Sequence, residues 1–170
     1  MLFCHIIATT VLFFGYEYVV LVQKSLQILL IILLIVHAII SFINIIFFNE
    51  GDILFRYIKI NFKTFLQRVT GILLLVSLII FHMGAYGFIM SGASLSIQDK
   101  LFICISEVFF YLIVLLHVYL SFSNSLVTLG FIRSKRSQKN INIFVGIICI
   151  FMFAISSFPA VLFVANWSIF

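Results

Sequence analysis

Apolar residues occur along the chain in five long runs, separated by short polar segments. The runs cover about residues 1–22, 26–48, 64–90, 101–128 and 141–166. A helix needs about 20 predominantly apolar residues to cross the hydrocarbon of a bilayer, so each run predicts one transmembrane helix. Strands of a membrane barrel would instead alternate apolar with polar positions. The pattern therefore predicts an all-α integral membrane protein, in which a bundle of about five helices forms a single transmembrane domain over residues 1–170.

The overall composition is that of a protein embedded in a lipid bilayer. Apolar residues make up 65% of the chain and charged residues only 9%, whereas a soluble domain is about 45–50% apolar and about 25% charged. The net charge of +5 does not indicate nucleic-acid binding, because most of the cations fall in two loops between helices. The three cysteines stand singly in apolar runs. Without a C-x-x-C motif they indicate neither a c-type haem nor a thiolate metal site.

The basic residues predict the orientation of the helices. Eight of the ten lie in or beside the loops that follow the second and fourth runs. They are Arg56, Lys59, Lys63, Arg68, Arg133, Lys135, Arg136 and Lys139. Because cytoplasmic loops of membrane proteins carry an excess of Lys and Arg, both loops are predicted to face the cytoplasm. The second and fourth helices then run inward, and the third and fifth run outward.

All four histidines lie in apolar runs, at His5, His37, His82 and His117. Ionisable residues are costly inside a membrane and tend to mark functional sites there; the alternative is scattered hydrogen bonding between helices. By position in their runs, His37 lies near mid-depth, His117 toward the inner half and His82 in the outer half. Two imidazoles on neighbouring helices can ligate a haem b, whereas zinc would favour acidic or thiolate ligands. His37 with His117 would make an inner haem, which leaves His5 to pair with His82 at an outer haem.

The first run leaves the outer pair open. If residues 2–22 form a complete outward-running helix, His5 lies at its inner end and does not reach His82. If the first helix is instead cut short, so that the chain begins near its outer end, His5 stands at the depth of His82. No basic segment or small-residue cleavage site marks this run as a signal peptide.

The third run, Phe65–Gly84, links the two predicted levels. It begins with a polar head that includes Arg68 and Gly71, and it closes on His82. In a regular α-helix the 14 residues from Arg68 to His82 rise about 21 Å, and the two side chains lie within about 40° of each other. Gly71 is on the same face, so it is expected to leave room for a bulky group.

Several short motifs resemble one family of membrane cytochromes. They are LQRVTG at 66–71 followed by FH at 81–82, VHA at 36–38, and VTLG at 127–130 and RSQK at 136–139 after His117. His5 and Gly15 match the family's first-helix histidine, which a glycine follows about ten residues later. Over most of its length the chain resembles the membrane-anchor cytochrome b subunit of succinate dehydrogenase and fumarate reductase complexes, in the variant where one five-helix polypeptide holds two haems. It departs from the family at its start, where only Met1–Cys4 precede His5.

The resemblance implies a set of cofactor ligands. By position, His37 and His117 resemble the ligands of a haem b nearer the cytoplasm, and His5 and His82 resemble those of an outer haem b. Two haems are expected, or one if the outer site is lost. Arg68 resembles a residue that contacts the haem propionates or the quinone; an ordinary cation of a cytoplasmic helix end is the alternative.

The same resemblance implies an anchoring and electron-transfer subunit in the bacterial inner membrane. Its partners would be a flavoprotein subunit and an iron–sulfur subunit, docked on the cytoplasmic loops, and membrane quinone. Electrons would pass between the iron–sulfur subunit and quinone, while dicarboxylate chemistry occurs in the flavoprotein, so the isolated chain is not expected to be an enzyme. The alternatives are a two-haem cytochrome b of another respiratory complex, such as a hydrogenase or formate dehydrogenase, and a haem-free membrane protein.

Two polar features of the fourth run each have two interpretations. A polar stripe follows His117 along its helix, at Ser121, Asn124 and Ser125. It either binds haem propionates or a quinone headgroup, or joins helices by hydrogen bonds. Glu107 is the one acidic residue well inside a run. It either serves a proton relay or quinol site, or pairs with a cation such as Lys100 toward the surface.

Overall fold

The chain is helical over most of the part that the computed structural model describes, which is residues 4–7, 20–47, 58–90 and 94–165. The helices are α1 (Val20–Phe47), α2 (Ile58–Ser77), a π-helical segment (Leu78–His82), α3 (Met83–Met90), α4 (Ile97–Thr128) and α5 (Lys135–Ala165). Residues 4–7 are also helical, and no strand occurs in the described ranges. The chain divides into two units, Met1–Phe62 and Lys63–Phe170.

Four helical stretches are long and apolar enough to cross a membrane, so the chain is an all-α, multi-pass membrane protein. The stretches are Lys24–Ile43, Phe62–Ala85, Ile97–Thr128 and Lys135–Ala165. They confirm the second to fifth predicted helices. Most of the first predicted helix lies outside the described residues, and residues 20–22 belong to α1 rather than to that helix. The helices start before the apolar runs because polar side chains at a helix end reach the membrane surface while the backbone stays helical.

The helix from residue 58 to residue 90 is continuous, but its winding changes in the middle. The π-helical segment lies between α2 and α3, and the flanking Ser77 and Met83 keep α-helical backbone angles. A π turn takes in about one residue more than an α turn. Calculating the angle between Arg68 and His82 as for a regular α-helix is therefore wrong, since the segment ends on His82.

The spacing of the buried small residues shows that the π-helical segment keeps the buried side chains on one face of this helix. Thr70, Ser77 and Ala85 keep 3%, 2% and 6% of their surface exposed. The first two are seven residues apart, which is close to two α-helical turns, but Ser77 and Ala85 are eight apart. The π-helical segment absorbs the additional residue, so that the buried face stays on one side of the helix.

Both ends of α4 are capped by hydrogen bonds of the kind that the local sequence predicts. At the start, the Asp99 amide donates to Ser96 Oγ over 3.2 Å, and the Ser96 amide donates to Asp99 Oδ2 over 3.0 Å, which is a capping box. At the end, Gly130 takes a φ of +78°. Its amide and the Phe131 amide donate to carbonyl oxygens of the last turn, as in a Schellman motif. α5 begins at Lys135 after this short basic connection.

Within Lys63–Phe170, α4 runs antiparallel to the helix formed by residues 58–90. Two hydrogen-bonded pairs establish the direction, Gln67 with Asn124 and His82 with Glu107. As residue numbers rise along one helix, those of its partner fall.

After the connection at residues 129–134, α5 runs back along α4 in the opposite direction. Phe163, near the end of α5, packs with Ala85 and Ile103 in a buried apolar cluster. The end of this unit that carries Lys63 and residues 133–139 is called the basic end below. The buried cluster lies toward the opposite end.

Candidate functional site

Polar side chains join α2 to α4 at the basic end. Lys63 Nζ donates to Ser123 Oγ over 3.2 Å and to Asn124 Oδ1 over 3.4 Å. Asn124 Nδ2 donates in turn to Gln67 Oε1 over 3.3 Å. Ser123 keeps 1% of its surface exposed, so the Lys63 ammonium reaches into the interface between the helices. The network fixes the rotation of α4 one to two turns after His117.

The imidazole of His117 is hydrogen-bonded to the backbone and a side chain of α2. Its Nδ1 lies 3.1 Å from the Gln67 carbonyl oxygen and 3.1 Å from Thr70 Oγ1. A carbonyl oxygen can only accept, so Nδ1 carries the proton and donates it. The Thr70 hydroxyl donates to the Leu66 carbonyl over 2.8 Å and can accept from Nδ1 with a lone pair. Nδ1 is therefore the donating nitrogen of the ring in both contacts.

Gly71 provides the space that the His117 ring occupies. A Cβ at position 71 would lie 3.1 Å from His117 Cε1, which is closer than carbon atoms normally pack, while its distance of 3.6 Å from Nδ1 would be an ordinary contact. The bulky group predicted beside this glycine is thus, in the structure, an imidazole of α4. The glycine and the Nδ1 hydrogen bonds together hold the ring edge against α2.

The imidazole of His82 faces a carboxylate on α4. Its Nδ1 lies 3.0 Å from Glu107 Oε2, and the side chains of His82 and Glu107 are 28% and 11% exposed. With Glu107 as the acceptor, Nδ1 is the donor of this hydrogen bond. The sequence-based pairing of Glu107 with Lys100 is wrong. The antiparallel packing of the two helices brings His82 to the level of Glu107, and His82 is its partner.

Two aromatic side chains of α4 hold the His82 ring in place. Phe110 stacks on it with ring centroids 4.6 Å apart and planes inclined by 19°. Tyr111 meets it edge-on, at 6.3 Å and 66°. One face and one nitrogen of the imidazole are thereby fixed. The side chain keeps 28% of its surface exposed.

The two histidines form similar sites at different levels of the same helix pair. Each imidazole donates from Nδ1 to an acceptor on the neighbouring helix. Glu107 and His117 are ten residues apart on α4, which corresponds to about 15 Å along its axis. The levels are therefore separated by about half of a bilayer's hydrocarbon thickness of about 30 Å.

The other predicted ligands lie in different places. His5 is half-buried within residues 4–7, and His37 is exposed on α1. The pairs His37 with His117 and His5 with His82 each combine residues of both units, so both pairings stay predictions. Arg68 is half-buried on α2, and its contact with propionates or quinone stays a prediction too. Within the described ranges, no group of three or more His, Cys, Asp or Glu side chains could hold a metal ion.

The side chains of the polar stripe after His117 form hydrogen bonds within α4 and between α4 and α2. Asn124 bonds to α2, as described above, while Ser121 Oγ donates to the His117 carbonyl and Ser125 Oγ to the Ser121 carbonyl. Sequence reasoning missed Gln67 and Thr70 as the partners of His117. The available signal was the run of small and polar residues at the start of the third apolar run, which favours close approach of a neighbouring helix.

An open cleft adjoins the His82 level. It lies between the first turns of α4 and the π-helical segment with α3, and it has a volume of about 130 Å³. Mostly apolar side chains surround it, and the lining includes Phe81, Phe88, Phe102, Asp99 and Ser106. Two of these residues directly precede His82 and Glu107 in the sequence. The cleft can therefore admit a small aromatic or aliphatic group next to the pair.

Comparison of the chain with protein-family models, with curated proteins and with solved structures finds no match. The sequence motifs and the two histidine sites are therefore the features that bear on the function of this multi-pass membrane protein.

Proposed function

We propose that the chain is a haem b-binding membrane anchor that carries electrons between an iron–sulfur subunit and membrane quinone, as a subunit of a succinate dehydrogenase or fumarate reductase complex. The observation that carries this proposal is the state of the two imidazoles. His82 and His117 each hold their Nδ1 proton against an acceptor. They are held in this way at two levels of one helix pair, as metal-ligating histidines are held through their second nitrogen.

The proposal assigns the two imidazoles to haem iron rather than to another metal. Bis-histidine ligation needs one imidazole on each side of the iron, and each histidine of Lys63–Phe170 would supply one. In the proposal His37 completes the site of His117, and His5 completes that of His82. Bound haem supplies one-electron transfer. The surrounding apolar helices exclude water from the ligands and keep the local dielectric low, which raises the influence of neighbouring charges.

The basic end suits the proposed partners. Arg133, Lys135, Arg136 and Lys139 are all exposed there, whereas Lys63 is used between helices. An excess of exposed cations favours a cytoplasmic position for this end, in a bacterial inner membrane, and offers a surface to the flavoprotein and iron–sulfur subunits. The apolar cleft beside His82 has room for part of a quinone ring.

Visible spectroscopy tests the proposal directly. The full-length chain is purified from membranes in mild detergent, haem is counted per chain, and a reduced-minus-oxidised spectrum is recorded. We expect a b-type spectrum with two haems per chain. His117→Ala should remove the haem nearer the basic end, and His82→Ala should remove the other. Asn124→Ala is the matched control, because it breaks two hydrogen bonds between α2 and α4, to Lys63 and Gln67, without removing either imidazole.

The outcomes separate the alternatives. A wild-type chain without a b-type signal refutes haem binding and favours a haem-free membrane protein. One haem per chain, lost in His117→Ala and kept in His82→Ala, shows that the outer site is missing. Copurification with succinate:acceptor activity distinguishes the proposed complex from a hydrogenase or formate dehydrogenase, whose anchors would give a similar spectrum.

A further inference from the structure

The cleft between α3 and the first turns of α4 is apolar along most of its length and charged at one end. Asp99, which is exposed, lies in the first turn of α4. Ser106 lines the cleft seven residues later, about 10 Å further along the helix. Gly84 belongs to the opposite wall, and a Cβ there would meet nothing within 4 Å. The cleft therefore runs from the helix end into the apolar part of the molecule, with a carboxylate at its mouth.

We propose that this cleft binds one membrane lipid with a primary ammonium headgroup, phosphatidylethanolamine. Its ammonium pairs with Asp99, and part of one acyl chain lies along the apolar walls. The inference goes beyond the proposed function, because neither His82 nor His117 is among the described residues that line the cleft. An apolar cavity of about 150 Å³ can hold a benzene molecule, so a volume of about 130 Å³ accommodates a short segment of one chain.

The polar atoms of the cleft select for a ligand that donates hydrogen bonds. The exposed carboxylate of Asp99 is ionised at neutral pH, so it can only accept. Within the described ranges its hydrogen bonds all go to Oδ2, from the amide and the hydroxyl of Ser96 over 3.0 and 2.7 Å. The Ser106 hydroxyl donates to the Phe102 carbonyl over 2.7 Å. The described side chains of the lining thus offer acceptors to a ligand and no donor.

This lining distinguishes a lipid ammonium from a quinone ring. A quinone ring fits the volume, but its carbonyl oxygens are acceptors too, so these side chains give it no hydrogen bond. A primary ammonium carries three donors and a positive charge, and it forms a charge-assisted hydrogen bond with a carboxylate. The quaternary ammonium of phosphatidylcholine has the charge but no N–H group. Lys100, the next residue, places a positive charge on the same turn as Asp99, which favours the lipid phosphate.

The headgroup decides which lipid is held, because the acyl chain gains little from the cleft. Lipid hydrocarbon is as apolar as the cleft walls, so moving a chain from the bilayer into the cleft brings no hydrophobic stabilisation. Selectivity between lipids therefore depends on Asp99, whereas occupancy depends on the space beside Gly84.

Two substitutions separate the charge from the space. Asp99→Asn keeps an oxygen that can accept from Ser96 but removes the charge. Gly84→Leu places a side chain in the open space of the wall. Gly87→Leu is its matched control, because Gly87 also lies in α3 and also has nothing within 4 Å of an added Cβ, but it is not among the described lining residues.

Native mass spectrometry measures the lipid that stays bound. The full-length chain is equilibrated in mild detergent with equal amounts of phosphatidylethanolamine, phosphatidylcholine and phosphatidylglycerol that have identical acyl chains. We expect one phosphatidylethanolamine per chain to be retained in preference to the other two. Asp99→Asn should reduce this preference by about two- to fivefold, the effect of losing one exposed ion pair. Gly84→Leu should remove the retained lipid, and Gly87→Leu should keep it.

Three results would overturn the inference. They are equal retention of the three lipids by the wild type, equal effects of Gly84→Leu and Gly87→Leu, and a quinone, rather than phosphatidylethanolamine, that Gly84→Leu displaces. Thermal unfolding of each variant shows whether it folds. If Gly84→Leu does not, the preference of the wild type and its reduction in Asp99→Asn decide the matter. None of these measurements depends on haem content, so their failure leaves the proposed function standing.

Discussion

Replacing Gly71 by alanine tests whether the His117 ring is held as tightly as its contacts indicate. The new Cβ would lie 3.1 Å from His117 Cε1, so the ring must move away by a few tenths of an ångström to reach ordinary contact near 3.5 Å. The ring cannot move freely, because both acceptors of its Nδ1 proton belong to the same helix as Gly71. The hydrogen bonds of 3.1 Å to Gln67 and Thr70 must lengthen as the ring retreats.

The expected magnitude follows from two opposing effects. A buried hydrogen bond that is lost without replacement costs about 1–3 kcal/mol. Alanine in place of glycine inside a helix contributes about 0.5–1 kcal/mol of stability. Gly71→Ala should therefore be destabilising by about 1 kcal/mol. Gly84→Ala, where a Cβ would meet nothing within 4 Å, should be neutral or stabilising, so the two variants should separate by about 1–3 kcal/mol.

Thiol labelling during heating provides the assay. Cys149 is buried, with 7% of its surface exposed, while Cys4 is exposed and Cys104 half-buried. In a background where Cys4 and Cys104 are replaced by serine, a fluorescent thiol reagent reports the unfolding of α5 around Cys149. Gly71→Ala should lower the midpoint temperature relative to Gly84→Ala. Equal midpoints for the two variants would refute the argument that the ring is fixed against α2.

Two further predictions use the same assay. Gly130→Ala should destabilise the chain by about 1–2 kcal/mol, because residue 130 has the left-handed φ of +78° that alanine adopts at a cost; a midpoint equal to that of Gly84→Ala would contradict this. Deleting Ile79 should leave the midpoint nearly unchanged, since the π turn can become an α turn and keep His82 opposite Glu107. Deleting Leu75 from regular helix should lower it strongly, because the following residues rotate by about 100°. Equal effects of the two deletions would show that the π-helical segment does not absorb a residue.

The sequence was sufficient for the class of fold and for the helices, but not for their relative rotation. Runs of apolar residues predict membrane helices because each must match the thickness of the hydrocarbon, and length alone carries that information. The partners of His117 and His82 depend on how α2 and α4 are rotated and shifted against each other. Glu107 was recognised as a costly acid, yet its partner was sought in the nearby Lys100 rather than on another helix.

The π-helical segment shows a different limit. Leu78, Ile79, Ile80 and Phe81 are all apolar, so no polar or glycine signal marks the change of winding before His82. Its trace in the sequence is the change of spacing between buried small residues, from seven to eight. That spacing becomes informative only once it is known which face of the helix meets α4.

The pairing of Glu107 with His82 also bears on how the chain enters the membrane. A charged side chain costs about 2.5–3.5 kcal/mol at the centre of an inserting helix, and Glu107, about a third of the way along α4, would impose part of that cost if α4 entered the bilayer with no partner. The helix of residues 58–90 is synthesised first, so His82 can already be in the bilayer when α4 emerges. The short connection at Gly130 then lets α4 and α5 insert as a hairpin. The order of helices along the chain thus provides the histidine before the acid that needs it.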